Sequence, residues 1–182
     1  MRIIFLNGPP RCGKDYAATM LRGFNMKLSK RLKDMTHRAF GLVDLDGDVL
    51  PHDWFEHIKD LAIPEFHGAT PRSAYIAMSE GFVKPLLGDD WLGKMLCVDI
   101  GNLGNAESTF LISDSGFRGE AEAIVKHFGP EVCTLVRIHR EGHGFGMDSR
   151  GYILLSDLGV KCVDVANDGT SDFLEVLKDA IS

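Results

Sequence analysis

The stretch Gly8-Pro9-Pro10-Arg11-Cys12-Gly13-Lys14-Asp15 decides how this chain of 182 residues is organised. It follows an apolar run at residues 3–6 and precedes a helical pattern that begins near Tyr16. A strand, a glycine-rich turn and a helix in this order, with the spacing G-x-x-x-x-G-K, are typical of a loop that binds phosphate. The sequence therefore predicts an anion site where the first strand ends.

The residue types of this loop match what phosphate binding requires. Gly8 and Gly13 allow unusual dihedrals and close approaches, so that successive backbone N–H groups can curl around phosphate oxygens. The positive end of the following helix points at the same anion. The ammonium of Lys14 would reach the terminal phosphates of a nucleotide as a point charge. We expect the nucleotide ATP to be bound by Gly8, Arg11, Cys12, Gly13, Lys14 and Asp15.

Composition narrows the class of protein. A chain of this length fits one α/β domain, and its 45% hydrophobic content is ordinary for a globular protein. The net charge of −6 argues against a broad nucleic-acid surface, although a local basic patch is compatible with it. The four cysteines form no C-x-x-C pair, which favours reduced thiols in a cytoplasm. We see neither an apolar stretch that could cross a bilayer nor a signal peptide.

Apolar strands alternate with helical patterns along the chain. This alternation predicts an α/β fold, a parallel β-sheet covered by helices on both faces in three layers. Strands are expected at residues 2–7, 108–114, 132–138 and 161–165. Helices are expected at residues 14–23, 26–40, 70–81 and 171–181, with one more around Trp91 and one around Ile124.

The strand at residues 108–114 ends in Asp114, which adds a carboxylate to the predicted anion site. Ligands of parallel α/β sheets lie beyond the carboxyl ends of the strands. A fixed carboxylate there can face the phosphates and hold Mg²⁺, directly or through water. The alternative is that Asp114 only caps the helix that begins near Gly119. With the loop present, we favour Asp114 as a catalytic or metal-binding residue, together with Asp15.

Phosphoryl transfer also needs cations around the transferring group. Arg72 follows Thr70-Pro71 in the first turn of a predicted helix. There its guanidinium and free backbone N–H groups would hold one phosphate together. The glycine-rich residues 141–146 would close over substrate as a lid, with Arg140 as a catalytic cation beside them. For each arginine the alternative is an exposed surface residue, and for Trp91 it is a place in the core. The further substrate-binding candidates are Lys84, Trp91, Arg118, Arg137 and Arg150.

These motifs, in this order, resemble those of the phage-type deoxynucleoside monophosphate kinases, a branch of the P-loop kinases, over nearly the whole chain. The sequence Gly-x-x-Arg-x-Gly-Lys-Asp, including Asp15, is similar to that branch's loop. Residues 28–33 resemble its basic helix, residues 70–72 and 88–91 its monophosphate-binding region, and residues 112–114 its acidic strand end. Residues 167–170 resemble the turn before its last helix, which lies near the bound base in related kinases.

Two residues depart from the family pattern. An Arg usually stands two positions after the strand-end Asp, where this chain has Gly116, so that Arg118 would take over or the contact would be lost. Tyr16 replaces the Thr that commonly follows the loop Asp. Both departures concern the identity of the substrate more than the chemistry of transfer.

The resemblance implies transfer of the ATP γ-phosphate to a deoxynucleoside monophosphate, with Mg²⁺ and a small-molecule nucleotide as substrate. It implies one P-loop kinase domain over residues 1–182, with an acceptor-binding helical region at about 45–105 and a lid-like segment at about 139–151. It further implies a cytoplasmic protein (in the host cytoplasm if it is phage-encoded), no membrane partner, and compatibility with a homodimer.

Two other functions stay open at the level of sequence. One is a P-loop kinase that phosphorylates a hydroxyl group, such as a hydroxymethylated base in DNA, with Asp114 as the general base. The other is a nucleotide-binding protein without catalytic activity.

Overall fold

The protein is described by a computed structural model that covers residues 1–105, 107–146, 149–170 and 172–181. The chain divides into two compact units. The sheet unit consists of Met1–Leu28 and Gly93–Ser182, and the helical unit consists of Ser29–Leu92. Each unit is described by itself.

The elements follow one another in a βα pattern interrupted by the helical unit. The strands are β1 (Arg2–Asn7), β2 (Phe24–Met26), β3 (Thr109–Ile112), β4 (Cys133–His139) and β5 (Lys161–Ala166). The α-helices are α1 (Lys14–Met20), α2 (Ser29–Ala39), α3 (Asp53–Glu56), α4 (Pro71–Met78), α5 (Lys84–Leu87), α6 (Trp91–Leu103), α7 (Arg118–Phe128) and α8 (Asp172–Ile181). Short 3₁₀ turns lie at Pro64–Phe66, Pro130–Val132 and Ser156–Leu158, and a π-helical turn lies at Ser79–Val83.

The five strands form one sheet in the order β2-β3-β1-β4-β5, and every pairing is parallel. The predicted α/β fold is therefore confirmed. Strand β1 is central, and its neighbours β3 and β4 both come later in the chain. The crevice of such a sheet opens where the chain leaves the central strand. Residues 8–13 occupy this position.

Helices cover both faces of the sheet. On one face, alternate strand residues such as Ile4 and Val136 form a core with Ala17 of α1 and Phe173 of α8. On the other face, the intervening residues Ile3, Phe5, Phe110, Ile112 and Leu135 are fully buried. Helix α6 packs there so closely that a Cβ on Gly104, just after the helix, would lie 2.2 Å from the Phe110 ring. The three predicted layers are present.

The predicted end of the first helix and the predicted start of the second were wrong, because a short strand lies between them. Helix α1 ends at Met20 instead of residue 23, since Leu21 is already extended. Residues 24–26 then pair with β3 as strand β2, so the next helix begins at Ser29 and not at residue 26. Phe24 stacks on Phe110 with ring centroids 5.3 Å apart, which supplies the apolar contact that this three-residue strand needs.

The helical unit has its own aromatic core around a buried histidine. The ring of His37 is fully buried, with edge contacts to Phe55 and Phe66. Its Nδ1 lies 3.1 Å from the carbonyl oxygen of Leu50, which can only accept, so Nδ1 carries the proton. Its Nε2 therefore accepts from the hydroxyl of Tyr75 at 2.8 Å. Burial lowers the pKa of His37 and raises the pKa of Tyr75 to about 12.

Helix α4 starts as predicted, but the helical run ends later than predicted. The hydroxyl of Thr70 accepts a hydrogen bond from the backbone N–H of Ser73, and Pro71 opens the helix. The predicted stop at Gly81 was wrong, because the backbone continues through the π-helical turn and α5 to Leu87. Gly88, with φ of 96°, ends the run. Among the described residues, no helix is both long and apolar enough to cross a bilayer.

Candidate functional site

The loop of residues 8–14, called the glycine loop below, follows the central strand and enters α1. A Cβ on Gly8 would lie 2.5 Å from the Ile138 carbonyl oxygen and 2.7 Å from the Cys12 sulfur. Gly13 has φ of 107°, and a Cβ there would lie 2.4 Å from Nδ2 of Asn167. No other residue type fits either position without moving its neighbours. The two glycines of the motif are thus required by close packing of the loop against the ends of β4 and β5.

The ammonium of Lys14 lies over the glycine loop. It donates to the carbonyl oxygens of Gly8 and Pro9 at 2.6 Å and 2.7 Å, and its Nζ is 3.7 Å from the sulfur of Cys12. Burial is the main cause of its lowered pKa, and the charge of Arg150 acts in the same direction. A phosphate entering the loop would offer this ammonium a stronger, charged acceptor than two carbonyls.

Two further carbonyls of the glycine loop accept hydrogen bonds from distant side chains. Nη1 of Arg140 donates to the carbonyl of Arg11 at 3.1 Å, and Nδ2 of Asn167 donates to that of Cys12 at 2.8 Å. Arg11 itself has φ of 63°, a left-handed conformation that costs a residue with a side chain about 1 kcal/mol. The surrounding contacts therefore hold the loop in a strained, curled form.

Asn167 is a site residue that the sequence did not reveal as one. By residue type, residues 167–170 were predicted as a turn and a helix cap, and the family resemblance placed that turn near a bound base. They do form the turn: Asn167 Oδ1 accepts from Gly169 N, and Asp168 accepts from Thr170 N. The side chain of Asn167 also bonds the glycine loop, and a contact between residues so far apart in sequence cannot be predicted from local patterns. The available signal was an Asn directly after a buried strand at the predicted ligand edge.

Asp15 forms an ion pair instead of lying open for a metal ion. Its Oδ1 is 3.0 Å from Nζ of Lys27 and 3.2 Å from the hydroxyl of Ser113. Burial alone would raise the pKa of this carboxyl, but the hydrogen bond and charge of Lys27, with Ser113 and Lys14, outweigh it and lower the pKa. Lys27 was not among the predicted site residues, because residue 27 was expected to lie in the helix at residues 26–40.

Asp114 lies in the turn after β3, because the strand ends at Ile112 and not at residue 114 as predicted, and it makes a contact that was not expected. Its Oδ1 accepts a 2.8 Å hydrogen bond from the backbone N–H of Leu28. Helix α7 begins after Phe117 without a side-chain cap. The N-cap position of this helix is Phe117 and not Asp114. Asp114 instead fixes the chain between β2 and α2, one residue away from the hydroxyl that binds Asp15.

The oxygen donors of Asp15, Ser113 and Asp114 are of the kind that Mg²⁺ prefers. Within the described ranges, no three His, Cys, Asp or Glu side chains are grouped so that they could hold a metal ion by themselves. This donor set fits a magnesium ion bound mainly by phosphate oxygens and water, with at most one or two carboxylates. Direct ligation by Oδ1 of Asp15 would require Lys27 to move away from it.

A buried amide organises the strand ends next to these residues. The side chain of Asn7, the last residue of β1, is fully buried. Its Nδ2 donates to the carbonyls of Ser115 and Gly151 at 2.6 Å and 3.0 Å, and its Oδ1 accepts from Ile153 N at 3.1 Å. Only an amide can donate twice and accept at the same time in this way. Asn7 therefore joins β1, the turn after β3 and residues 151–153, and the sequence did not mark it.

The predicted arginines of the sheet unit contact different parts of it. Arg140 lies against the glycine loop, as described, and Arg150 lies against Gly116, where a Cβ would be 2.5 Å from its Cδ. Arg118, the predicted replacement at that position, instead bonds both oxygens of Asp157, at 3.0 Å and 2.5 Å.

Arg137 pairs with Asp164 of the neighbouring strand, with 2.5 Å between Nη2 and Oδ2. This carboxylate also meets the ring of His139, with 2.5 Å between Oδ1 and Nε2. Both oxygens of Asp164 are thus engaged within the β4–β5 pair, which ties the guanidinium of Arg137 to the sheet.

The other predicted substrate residues belong to the helical unit. The guanidinium of Arg72 binds Asp60, with Nε 2.5 Å from Oδ1 and Nη2 3.3 Å from Oδ2. Its backbone N–H donates to the carbonyl of Lys59, so the expectation of a free N–H in this first turn was wrong. Lys84 pairs with Glu80 at 2.6 Å, and Trp91 is half-buried at the start of α6.

No protein-family model matches the chain, and no curated protein matches it. Among solved structures, the chain is similar to the crystal structure of a gluconokinase from Sinorhizobium meliloti 1021, with 15% sequence identity and a TM-score of 0.43. The match covers 99% of this chain and 89% of that chain. At that TM-score the likeness carries no argument about the site, which rests on the contacts given above.

Proposed function

We propose that the chain is an ATP-dependent phosphotransferase of the P-loop kinase type, which converts a deoxynucleoside monophosphate to the diphosphate. One observation carries this proposal. A glycine loop at the end of the central parallel strand holds a lysine ammonium over its own carbonyls and opens into a helix. This combination of backbone curvature, helix N-terminus and ammonium is suited to a chain of phosphates.

The donor side of the proposed reaction uses residues of the sheet unit. The glycine loop and Lys14 would bind the β- and γ-phosphates of ATP, with Lys14 exchanging its carbonyl partners for phosphate oxygens. Arg140, which already lies on the Arg11 carbonyl, would offer its guanidinium to the same phosphates. Asn167 and the turn after it support the loop from the far side.

The chemical step needs positioning and charge neutralisation more than proton transfer. An anionic oxygen of the acceptor monophosphate attacks the γ-phosphorus, and the bond from that phosphorus to the β–γ bridging oxygen breaks. The products are ADP and the deoxynucleoside diphosphate, and no proton has to be removed from the nucleophile. Lys14 and Arg140 would neutralise the charge that develops on the departing ADP. Magnesium, when bound with the nucleotide, supplies further neutralisation near Asp15 and Asp114.

The acceptor side is assigned to Arg72, Lys84 and Trp91. Arg72 binds a carboxylate with two nitrogens in the structure, and a phosphate can accept the same two hydrogen bonds. A bound monophosphate would then replace Asp60 as the partner of Arg72. Lys84 would add charge, and the half-buried ring of Trp91 would contact the base.

The proposal is tested by incubating the purified chain with γ-labelled ATP and Mg²⁺. The acceptors are the four common deoxynucleoside monophosphates, their ribose counterparts and DNA that contains hydroxymethylated bases. Labelled diphosphate from a deoxynucleoside monophosphate, lost in Lys14→Ala and kept in Lys126→Ala, is the expected result. Lys126 is the matched control because its ammonium is exposed and pairs only with Glu122 of its own helix in the described contacts.

Two results would replace the proposal. Label in the modified DNA alone would identify a hydroxyl kinase, for which a carboxylate base is needed. ATP binding without transfer to any acceptor would identify a non-catalytic nucleotide-binding protein.

A further inference from the structure

Gly116 has no room for a side chain because Arg150 occupies that space. An ideal Cβ on Gly116 would lie 2.5 Å, 2.6 Å and 2.8 Å from Cδ, Cγ and Cβ of Arg150. These atoms include the base of the side chain, so they cannot swing away as a flexible tip would. The backbone N–H of Gly151 also reaches the carbonyl of Gly116, at 3.4 Å. The stem of Arg150 therefore crosses directly over the backbone of the turn that follows Asp114.

This pair of residues is anchored on both sides by one buried side chain. The amide of Asn7 donates to the carbonyl of Ser115, the neighbour of Gly116, and to that of Gly151, the neighbour of Arg150. Because Asn7 ends the central strand, it fixes both backbones relative to the start of the glycine loop. The position of Arg150 is thus set by the core of the sheet unit and not by a surface loop alone.

The positive charge of Arg150 acts on the ammonium of Lys14. After burial, the charge of Arg150 is a cause of the lowered pKa of Lys14. Two nearby cations repel each other, and an anion with several negative charges that binds both of them removes that repulsion. A phosphate chain on the glycine loop is an anion of this kind.

We propose that Arg150 is a phosphate-contacting residue of the glycine-loop site, and that Gly116 positions it by leaving open the space that the Arg150 side chain crosses. This inference rests on the proposed function in one respect, that the glycine loop binds a phosphate chain. It goes further by naming a cation besides Lys14 and Arg140 and by making residue 116 a determinant of its placement. Any side chain at 116 would compete with Arg150 for the same volume.

The test measures binding of inorganic tripolyphosphate and of Mg–ATP by isothermal titration calorimetry. Arg150→Met keeps an unbranched apolar stem on Gly116 but removes the charge, and we expect it to weaken tripolyphosphate binding about tenfold. Gly116→Ala keeps the charge but displaces it, and we expect a loss of similar size. The control for the glycine substitution is Gly101→Ala, since a Cβ there meets nothing within 4 Å, and this variant should bind as the wild type does.

A double-mutant cycle separates positioning from a general loss of structure. If Gly116 acts through Arg150, the double variant Gly116→Ala/Arg150→Ala should bind no more weakly than Arg150→Ala. Effects that multiply would overturn the positioning role, and an Arg150→Met variant with unchanged affinity would overturn the phosphate contact. Melting temperatures of all variants are recorded, and Arg150→Met by itself tests the phosphate contact if Gly116→Ala does not fold.

The fate of this inference can be told apart from that of the proposed function. A wild-type chain that binds tripolyphosphate through Arg150 but transfers no phosphate would support the inference and contradict the kinase. Transfer to a deoxynucleoside monophosphate with full activity in Arg150→Met would support the kinase and contradict the inference. A chain that binds neither tripolyphosphate nor Mg–ATP would overturn both.

Discussion

The side-chain amide of Asn167 donates a 2.8 Å hydrogen bond to the carbonyl oxygen of Cys12, and this bond joins the end of β5 to the glycine loop. Nδ2 of Asn167 also packs against Gly13, the second glycine of the loop. The backbone N–H of Asn167 donates to the carbonyl of His139 at 2.7 Å. The loop is thus supported from the two strands that lie on one side of β1. Its curvature depends on residues more than 100 positions away in sequence.

Replacing Asn167 with Ala should therefore loosen the loop. The change removes the donor to Cys12 and the acceptor for Gly169 in a buried place, for which we expect a loss of about 1–3 kcal/mol in the free energy of unfolding. ATP binding should weaken as well, because the loop loses its curled form. Urea unfolding and calorimetry measure the two effects. Asp168→Ala, which removes only local bonds to Thr170, should leave ATP affinity unchanged; equal losses in both variants would contradict the supporting role of Asn167.

Gly8→Ala should abolish binding of Mg–ATP. The added Cβ would lie 2.5 Å from the carbonyl of Ile138, a backbone atom of β4 that cannot move aside cheaply. The loop must then shift away from the strand, and the amides that face the phosphates shift with it. Calorimetric titration is the direct measurement, with circular dichroism to show that the sheet is retained. Retained affinity in a folded Gly8→Ala variant would show that the loop does not grip phosphate through its backbone.

Lys14→Ala should reduce turnover by orders of magnitude while the chain stays folded. The ammonium bonds the carbonyls of Gly8 and Pro9, which water can bond in its place, so the cost to stability should be about 1 kcal/mol or less. The cost to transfer is larger, since the charge on the phosphates is no longer balanced. Single-turnover rates with the best acceptor give the measurement, and near-normal turnover would refute the role of Lys14.

Arg72→Ala should raise the Michaelis constant for the acceptor far more than that for ATP. The partner variant Asp60→Asn leaves the guanidinium of Arg72 in place but weakens its interaction with residue 60. This variant should lower the Michaelis constant for the acceptor or leave it unchanged. Steady-state kinetics with both substrates varied distinguish these outcomes. If Arg72→Ala shifts both constants equally, Arg72 is not an acceptor residue.

Mild acid should destabilise the chain through His37. Burial, followed by the charge of His52, lowers the pKa of His37 from its usual 6.5 in the folded state. Below about pH 6.5 the unfolded chain consequently binds more protons than the folded chain, and stability falls as the pH drops. We expect the free energy of unfolding to decrease between pH 7 and pH 5, and His37→Gln to make this decrease shallower. His127→Gln, on α7, serves as the control; an unchanged slope in His37→Gln would contradict the assignment.

Local patterns in the sequence were sufficient for most of the fold. Strand β1 was predicted with its observed bounds, and the glycine loop, the capped start of α4 and the later strands follow from hydrophobic runs and capping residues. Strand β2 was missed because its three residues, two of them exposed, form no apolar run, and only pairing with β3 makes them a strand. The helix stop at Gly81 was predicted wrongly because a π-helical turn accommodates the glycine.

The site was harder to predict, because its supports connect distant parts of the chain. The motif identified Lys14 and both glycines, but no local pattern shows which distant backbone groups are bonded by Asn7 at the end of β1 or by Asn167 after β5. Lys27 was expected to lie in the helix at residues 26–40, although it pairs with Asp15 across β2 and α1. Arg118 and Arg150 could not be ranked by sequence, since the choice depends on which side chain fills the volume above Gly116.

The buried amide at the end of β1 also limits how the chain could close over a ligand. Because the Asn7 amide bonds residues 151 and 153 from within the core, a hinge motion cannot move those residues without breaking both hydrogen bonds. Residues 151 and 153 would therefore keep their positions in any movement that closes this side of the sheet over a ligand. Arg150 adjoins this fixed part of the chain, so its stem would remain over Gly116 and its charge would already be in place when the nucleotide arrives.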